Sequence, residues 1–283
     1  MINKNIKIVA DSSVDIKELV GTSFSVAPLK ITVGEREFLD NGSLDTAEMC
    51  DTLAAYKGKA HTSCPNREDY LLAFGEAEWV FCITMTSKLS GSYNAARLAK
   101  DEYESLYPTR RVTVIDSLST GAEMVLIIEK IQGLISEGLS FDEITYKALE
   151  YTKATGLIFM LESLNNLKNS GRVNPVVAKM AVFLGIRLVG RADDGELMPI
   201  SKCRGEACGL FCILDSMKKD GYGGGRVKIT HCLNPGAANR LRELISGEYP
   251  RAEIGVHPMG GLTSFYAERG GLIVGFEKGT KSI

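Results

Sequence analysis

Hydroxyl-bearing side chains concentrate in two short segments of the chain. One is His61-Thr62-Ser63-Cys64-Pro65, and the other runs from Thr84 to Ser92 and ends in Ser90-Gly91-Ser92. The Ser-Gly-Ser turn follows a strand-like run and precedes a helical pattern. Backbone N–H groups at a helix N-terminus, joined by serine hydroxyls, bind an anion without a charged side chain. The sequence therefore indicates an anion site, with plain helix capping by Ser90 as the alternative.

Enzymatic serine chemistry has a weaker basis in the sequence. A serine nucleophile needs a base beside it, and no such residue adjoins Ser90. The chain has no Gly-x-x-x-x-Gly-Lys-Ser/Thr phosphate loop and no Gly-x-Ser-x-Gly turn. The run Gly221–Gly225 precedes a strand-like segment, whereas a dinucleotide fingerprint precedes a helix. We therefore predict no catalytic residue, with a hydrolase or transferase combining the Ser90 region with His61 or Tyr266 as the alternative.

Metal ligands and disulfide frameworks are not recognisable in the sequence. The three histidines are isolated from one another, and Cys203, Cys208 and Cys212 lack the spacing of a zinc site. We therefore predict neither a metal nor a cofactor. The chain has seven cysteines, an odd number, which is typical of a reduced cytoplasmic protein.

Length and composition are those of an ordinary globular protein. The chain has 283 residues, a formal charge of −2, 45% hydrophobic and 24% charged residues. At about 150 residues per domain, this length predicts two domains. A charge so close to zero excludes binding to nucleic acid or anionic membranes by charge alone. The apolar run Ile6–Ala10 is too short for a signal peptide. Because no segment approaches the roughly 20 apolar residues of a membrane helix, we expect a cytoplasmic protein without stable membrane insertion.

Three apolar runs in the first half of the chain predict buried strands. They are Ile6–Ala10, Val80–Met85 and Val112–Ile115, and each is followed by acidic or hydroxyl residues and then by a helical pattern. Strands that alternate with helices indicate βαβ units around a parallel sheet. Ligands of such sheets bind outside the carboxyl ends of the strands. The hydroxyl-rich segment after Val80–Met85 lies at such an end.

The second half of the chain has a different pattern. Asp193-Asp194-Gly195-Glu196 lies between two apolar runs and predicts a hairpin with antiparallel strands. Strands and helices follow it, with a turn predicted at Gly221–Gly225, and an apolar helix is predicted over 176–184. The sequence thus predicts an α/β fold in two domains: an N-terminal domain with a parallel sheet over residues 1–155, and a C-terminal domain with a mixed or antiparallel sheet over 156–283.

Motifs distributed along most of the chain resemble those of the DegV family of bacterial lipid-binding proteins. Their order and spacing carry the resemblance, rather than any single motif. They are Val9-Ala10-Asp11-Ser12-Ser13, Pro28-Leu29-Lys30-Ile31, Thr62-Ser63-Cys64-Pro65, Ser87-Lys88-Leu89-Ser90-Gly91-Ser92-Tyr93-Asn94-Ala95-Ala96, Val114-Ile115-Asp116-Ser117, Leu167-Lys168-Asn169-Ser170-Gly171-Arg172-Val173, Asp194-Gly195-Glu196 and Arg204-Gly205.

The resemblance implies a carrier that encloses one long-chain fatty acid between two α/β domains. Thr62 and Ser90, with Gly91, stand at the positions that hold the carboxylate in this family, and Ser63 and Arg172 are secondary candidates. The resemblance also implies that a separate ATP-dependent kinase subunit converts the bound acyl group to an acyl phosphate. The apolar segments 157–160 and 176–184 are candidate walls of the acyl tunnel, with ordinary core packing as the alternative.

The chain departs from the family pattern near its C-terminus. Family members have His-x-Gly-Pro-Gly there, and this chain has Tyr266 at the histidine position and Glu268-Arg269-Gly270 at the others. A tyrosine can still donate one hydrogen bond to the carboxylate, whereas Glu268 would repel it unless Arg269 neutralises Glu268. Ala122-Glu123-Met124 also replaces a glycine-rich turn. These departures leave a carrier of another amphiphile as an alternative.

Overall fold

The computed structural model describes residues 5–173 and 185–279. In chain order the strands are β1 (Ile6–Asp11), β2 (Ser23–Ala27), β3 (Lys30–Val33), β4 (Arg36–Leu39), β5 (His61–Ser63), β6 (Trp79–Thr84), β7 (Arg111–Asp116), β8 (Thr155–Leu161), β9 (Ile186–Asp193), β10 (Glu196–Arg204), β11 (Tyr222–His231), β12 (Ile254–Pro258) and β13 (Leu272–Lys278). The helices are α1 (Thr46–Ala55), α2 (Arg67–Phe74), α3 (Ser92–Leu106), α4 (Ala122–Ser136), α5 (Phe141–Lys153), α6 (Asn165–Ser170), α7 (Glu206–Lys219), α8 (Pro235–Glu248) and α9 (Gly261–Ala267). A 3₁₀ turn, Ser12–Val14, follows β1.

The first half of the chain forms the predicted parallel sheet. Its four strands have the order β2-β1-β6-β7, and every neighbouring pair is parallel. Helices α2 and α3 cover one face, and α4 and α5 cover the other. Because both faces are buried, β1 and β6 are almost continuously apolar, as is usual for parallel strands. The predictions of strands at Ile6–Ala10, Val80–Met85 and Val112–Ile115 are confirmed.

A second, small sheet in this half was not predicted from the sequence. It has three antiparallel strands in the order β4-β3-β5. Strand β5 contains Thr62, which pairs with Ile31 of β3. These strands are only three or four residues long, too short for an alternating pattern to be recognised. The small sheet is what gives Thr62 a fixed backbone position.

The second half of the chain forms the predicted mixed sheet. Its six strands have the order β10-β9-β8-β13-β11-β12, in which only β11 and β12 pair in parallel. The predicted hairpin joins β9 to β10, and its two turn residues, Asp194 and Gly195, have φ of 46° and 81°, which a tight hairpin turn requires. The turn predicted at Gly221–Gly225 is wrong after Gly221: Tyr222–Gly225 belong to β11, which has a register shift before Val227.

Two helices connect the two halves of the protein. Helix α4 is apolar on nearly all sides and packs against β6 of the parallel sheet and against β8, β11 and β13 of the mixed sheet. Helix α9 follows β12 of the mixed sheet and contacts the 3₁₀ turn, β3 and α1 of the N-terminal half. The mixed sheet begins at Thr155, next to the predicted domain boundary, and the boundary itself stays a prediction. The helix predicted over 176–184 lies outside the described residues.

Candidate functional site

An apolar cavity lies between the mixed sheet, α9 and the loops that follow the parallel strands. It has about 600 Å³ of empty space, including the part open to solvent. Nearly all of its lining surface is apolar. The lining residues are Met85, Leu89, Thr120, Leu157, Phe159, Leu161, Leu167, Arg172, Leu197, Leu262, Thr263, Tyr266, Ala267 and Ile273.

Strand alternation decides which residues of β8 reach the cavity. Leu157, Phe159 and Leu161 lie on one face and line it. Ile158 and Met160 lie on the other face and pack into the core formed with α7 and α8. The wall predicted at 157–160 is therefore correct for two of its four residues, because neighbouring side chains of a strand point in opposite directions.

Three polar side chains meet at the cavity: Arg172 and Tyr266 line it, and Thr62 contacts Tyr266 from outside the lining. The hydroxyls of Tyr266 and Thr62 lie 2.7 Å apart, and Nη1 of Arg172 donates to the Tyr266 hydroxyl at 2.7 Å. Nε of Arg172 donates to the carbonyl oxygen of Leu89 at 2.8 Å. Burial raises the pKa of the Tyr266 phenol above its ordinary value, so Tyr266 is neutral near pH 7. Arg172 is then the group in this cluster that carries a charge.

The Ser-Gly-Ser turn lies directly beside this cluster. Leu89, which accepts the hydrogen bond from Arg172, precedes Ser90. A Cβ atom added to Gly91 would lie 3.0 Å from Sγ of Cys64, so the turn packs against the segment that contains Thr62. The Ser90 hydroxyl lies 3.0 Å from that of Ser92 and accepts the Ser92 N–H at 3.2 Å. Gly91, and not Ser90, is the N-cap residue of α3, so the alternative of plain helix capping by Ser90 is wrong, although Ser90 does accept the first N–H of the helix.

Two carboxylates, of which Asp11 is buried, fix the loop that leads to Ser90. Asp11 accepts the Met85 N–H at 2.8 Å, and Asp116 accepts the N–H groups of Ser87 and Leu118 at 3.1 Å each. Burial raises the pKa of the Asp11 carboxyl to about 6, against the opposing effect of its hydrogen bonds. Because these contacts restrain the chain on both sides of β6, the Ser-Gly-Ser turn starts from a defined position.

The remaining sequence-predicted residues lie at the outer side of the cluster. Ser63 and Gly91 are exposed, as is His61. Glu268 accepts the Asn166 N–H at 3.0 Å, and Arg269 pairs with Asp51 at 2.6 Å. The sequence leaves neutralisation of Glu268 by Arg269 open. In the structure these two side chains do not pair, because each has another partner.

The geometry favours binding of an amphiphile over chemistry on it. Thr62, Tyr266 and Arg172 can donate hydrogen bonds to an anion, and the apolar cavity continues from them. The Ser90 hydroxyl contacts Ser92 rather than His61 or Tyr266, so it has no base in hydrogen-bond contact. Within residues 5–173 and 185–279, no group of three metal-ligating side chains comes together. None of the described helices is long and apolar enough to cross a bilayer.

Sequence reasoning missed several cavity residues and the groups that hold α9. Met85, Thr120, Leu197 and Leu262 have no local pattern that marks them as cavity-lining. The carboxylates that accept N–H groups at the start of α9 belong to Asp15 and Asp40, within the first 40 residues. Only the three-dimensional packing brings them to the cavity.

Comparisons with known proteins agree on one family. The model described as "Uncharacterised protein, DegV family" matches residues 5–278. A DegV domain-containing protein of Streptococcus pneumoniae strain R6 is 39% identical over 276 residues, which cover 96% of this chain and 98% of that protein. A DegV domain-containing protein of Streptococcus gordonii is 39% identical over 278 residues, covering 96% and 99%.

Solved structures are similar over the same extent. The Streptococcus pneumoniae Fatty Acid Kinase (Fak) B3 protein loaded with linoleic acid has a TM-score of 0.94 and 38% identity, covering 97% of this chain and 100% of that one. A DegV family protein from Eubacterium eligens loaded with heptadecanoic acid has a TM-score of 0.94 and 41% identity, with the same coverage. A Ruminococcus gnavus DegV family protein refined with vaccenic acid has a TM-score of 0.90 and 27% identity, covering 96% and 100%.

Proposed function

Because the chain belongs to the DegV family, we propose that it binds one long-chain fatty acid in the cavity between its two larger sheets. The observation that carries this proposal is the apolar cavity lined by Arg172 and Tyr266, whose Tyr266 hydroxyl also contacts Thr62. The similar proteins from S. pneumoniae and E. eligens were crystallised with linoleic and heptadecanoic acid, which supports the same class of ligand.

The binding free energy comes mainly from the acyl chain. Burial contributes about 0.8 kcal/mol per methylene, so a chain of about 14 methylenes gains on the order of 11 kcal/mol before the cost of ordering. A buried carboxylate must keep hydrogen-bond donors, or its desolvation would cancel much of this gain. The cavity has mainly aliphatic and aromatic walls, and the cluster of Thr62, Arg172 and Tyr266 is its polar end.

We assign the carboxylate to the polar end. Thr62, Ser90 and Tyr266 donate through their hydroxyls, and Gly91 contributes its backbone at the start of α3. Arg172 supplies the positive charge, since the other members of the cluster are neutral. Exposed Ser63 borders the site without reaching into the cavity.

We propose that the protein presents this carboxylate to a separate ATP-dependent kinase subunit and is itself a non-catalytic carrier. The resemblance to the protein named Fatty Acid Kinase (Fak) B3 supports this role. The exposure of Ser63 and Gly91 places the polar end next to the surface, where another protein could reach it. The sequence has no phosphate loop of its own.

A carrier of another amphiphile is the second candidate, and Tyr266 is the residue that favours it. A neutral phenol beside Arg172 can bind a different polar head group than the histidine of the family pattern would. Native mass spectrometry of the purified protein distinguishes the two. A co-purified species with the mass of a fatty acid supports the first candidate, and another lipid mass supports the second.

A binding assay completes this test. The protein is stripped of lipid and titrated with palmitic acid and with the corresponding primary alcohol. Binding of the acid in preference to the alcohol supports the carboxylate assignment. Absence of binding to either, together with hydrolysis of ester substrates, would instead favour the hydrolase alternative.

A further inference from the structure

The N-terminus of α9 is held by two carboxylates from the opposite end of the chain. Asp40 accepts the N–H of Gly261 at 2.8 Å with Oδ1 and that of Leu262 at 2.9 Å with Oδ2. Asp15 accepts the N–H of Gly260 at 2.8 Å and the hydroxyl of Thr263. Together they satisfy consecutive donors that a helix leaves free at its start.

Both carboxylates are fixed by their own surroundings. Asp40 is 4% exposed, and its N–H donates to the carbonyl oxygen of Leu29 at 2.8 Å. Asp15 follows the 3₁₀ turn with φ of 63°, a left-handed conformation that non-glycine residues rarely adopt. Gly261 packs so closely on Asp40 and Leu44 that a Cβ atom would collide with both.

Helix α9 depends on such external contacts. It has only seven residues, and isolated helices shorter than about 12–15 residues are marginal in water. A helix of this length gains its position from the groups at its ends and from packing rather than from its own hydrogen bonds. The two carboxylates bind its first turn from the N-terminal half of the protein.

The same helix brings side chains into the binding cavity. Leu262, Thr263, Tyr266 and Ala267 all line it. Tyr266 lies one turn beyond the residues that Asp40 holds, and its hydroxyl must reach both Thr62 and Arg172 at 2.7 Å. A small shift or rotation of α9 would therefore break these contacts first.

We propose that Asp40, assisted by Asp15, is a positioning residue for the carboxylate site: it fixes the axial position and rotation of α9 so that the Tyr266 hydroxyl meets Thr62 and Arg172. The proposal rests on the proposed function. Asp40 does not touch the ligand and acts through Tyr266. A carboxylate is required because both of its oxygens accept a backbone N–H, whereas an asparagine would turn an NH₂ group toward one of them.

The decisive variants are Asp40→Asn and a matched control, Asp45→Asn. Asp45 also accepts two N–H groups at a helix start, those of Ala47 and Glu48 at 2.9 and 3.0 Å. Its helix, α1, contributes no residue to the cavity lining. Titration with palmitic acid is expected to show at most about a fivefold loss of affinity for Asp40→Asn, because Asp40 acts through the Tyr266 hydroxyl and removal of that hydroxyl costs about this factor. Asp45→Asn is expected to bind like wild type.

A double-mutant cycle separates positioning from a general structural effect. In a Tyr266→Phe background, Asp40→Asn is expected to reduce palmitate affinity by less than about twofold, because the contact it supports is already gone. An equal loss in both backgrounds, or an Asp40→Asn protein that binds like wild type, would overturn the proposal. If wild type itself does not bind palmitate, the proposed function fails instead.

Asp15→Asn serves as the second variant should Asp40→Asn not fold. It keeps the side-chain shape, and asparagine tolerates the left-handed conformation of this position. We expect a smaller loss of palmitate affinity than for Asp40→Asn, again abolished by Tyr266→Phe. A loss that Tyr266→Phe leaves unchanged would contradict the positioning role.

Discussion

At the scale of single residues, the polar end of the cavity combines one charged group with neutral hydroxyls. Thr62 and Tyr266 lie 204 residues apart in the chain and 2.7 Å apart in space. Arg172 contacts Tyr266 from a third segment. Under the proposed function, the hydroxyls of Thr62 and Tyr266 donate directional hydrogen bonds to the carboxylate, and Arg172 balances its charge.

The double variant Thr62→Ala, Ser90→Ala is expected to bind long-chain fatty acids more weakly. Each lost hydrogen bond to a charged group costs roughly 1.5–3 kcal/mol. Isothermal titration calorimetry with palmitic acid measures the loss. Ser136→Ala, at an exposed position near the end of α4, is the control. Unchanged affinity in the double variant would remove both hydroxyls from the carboxylate site.

Tyr266 leads to a prediction about pH. Burial raises the pKa of its phenol, so position 266 stays neutral between pH 6 and 8. In Tyr266→His, the imidazole has an ordinary pKa of about 6.5 and is positively charged only below it. Palmitate affinity of Tyr266→His is therefore expected to be higher at pH 6 than at pH 8.

Tyr266→Phe is the reference for this measurement, since both variants share every other titrating group. It is expected to weaken binding by roughly 1 kcal/mol, the net contribution of a typical hydrogen bond. The difference between the two pH profiles then reports on position 266 alone. If both variants and wild type have the same affinity and the same profile, Tyr266 is not a carboxylate ligand.

At the scale of elements, strand packing sets the shape of the cavity. Phe159 of β8 lines it, and the ring covers Gly190 of the neighbouring strand β9. A side chain at position 190 would collide with this ring and with the Met198 carbonyl oxygen. Because Gly190 has no side chain, the Phe159 ring can occupy this space.

Gly190→Ala is expected to push the Phe159 ring toward the cavity and to reduce affinity for long acyl chains more than for short ones. Overpacking of this kind costs typically about 1–3 kcal/mol. Gly133→Ala is the control, because a Cβ at that position meets no atom within 4 Å. Equal affinities of Gly190→Ala and wild type for palmitic acid would exclude this effect on the cavity.

Titration of Asp15, which contacts the start of α9, is expected to make the free energy of unfolding depend on pH. Burial raises the pKa of the Asp15 carboxyl to about 7. The folded protein then holds this proton more tightly than the unfolded chain, so the Asp15 contribution to the free energy of unfolding is largest at low pH and falls as pH rises through 7. Between pH 5.5 and 7.5 the expected decrease is about 2 kcal/mol, since one pKa unit corresponds to about 1.4 kcal/mol.

Urea unfolding of wild type and Asp15→Asn at these two pH values measures this contribution. Subtracting the two proteins removes the effect of other groups, including His231 and His257, whose pKa values burial lowers. We expect the decrease from pH 5.5 to 7.5 to be smaller in Asp15→Asn by about 2 kcal/mol. An identical pH dependence of both proteins would show that Asp15 does not titrate in this range.

At the scale of the whole molecule, the cavity exists because two sheets share one set of connecting helices. Helix α4 packs on both sheets, and α9 returns from the second half of the chain to the first. The cavity walls come from β8, β13 and α9 and also from Met85, Leu89 and Thr120 of the N-terminal half. Both halves of the chain therefore line the cavity.

Affinity is expected to increase with acyl chain length up to the limit of the cavity. Each added methylene that is buried contributes about 0.8 kcal/mol. Titration with a series of saturated acids measures the slope and the length at which it ends. Equal affinities for the eight-carbon and sixteen-carbon acids would contradict an enclosed acyl site.

The order and spacing of motifs along most of the chain indicated the family. The fold class, the parallel and mixed sheets and the β9–β10 hairpin were predictable from the sequence as well. These follow from local information: buried strands read as short apolar runs, strand and helix alternate at a recognisable spacing, and a turn such as Asp194-Gly195 requires residues that tolerate positive φ. Thr62 and Ser90 could also be named as candidates, because each lies in a short hydroxyl-rich segment, and Tyr266 because it stands where the family pattern has a histidine.

Only the tertiary structure decided how these residues come together. Both faces of β8 are buried, so its periodicity does not reveal that Phe159 faces the cavity and Met160 faces the opposite core. Likewise, no local signal connects Asp40 to the helix that contains Tyr266. Asp40 lies 221 residues before Gly261, the first residue of that helix. Contacts across such separations depend on the packing of the entire chain, which brings two distant carboxylates to the start of one short helix.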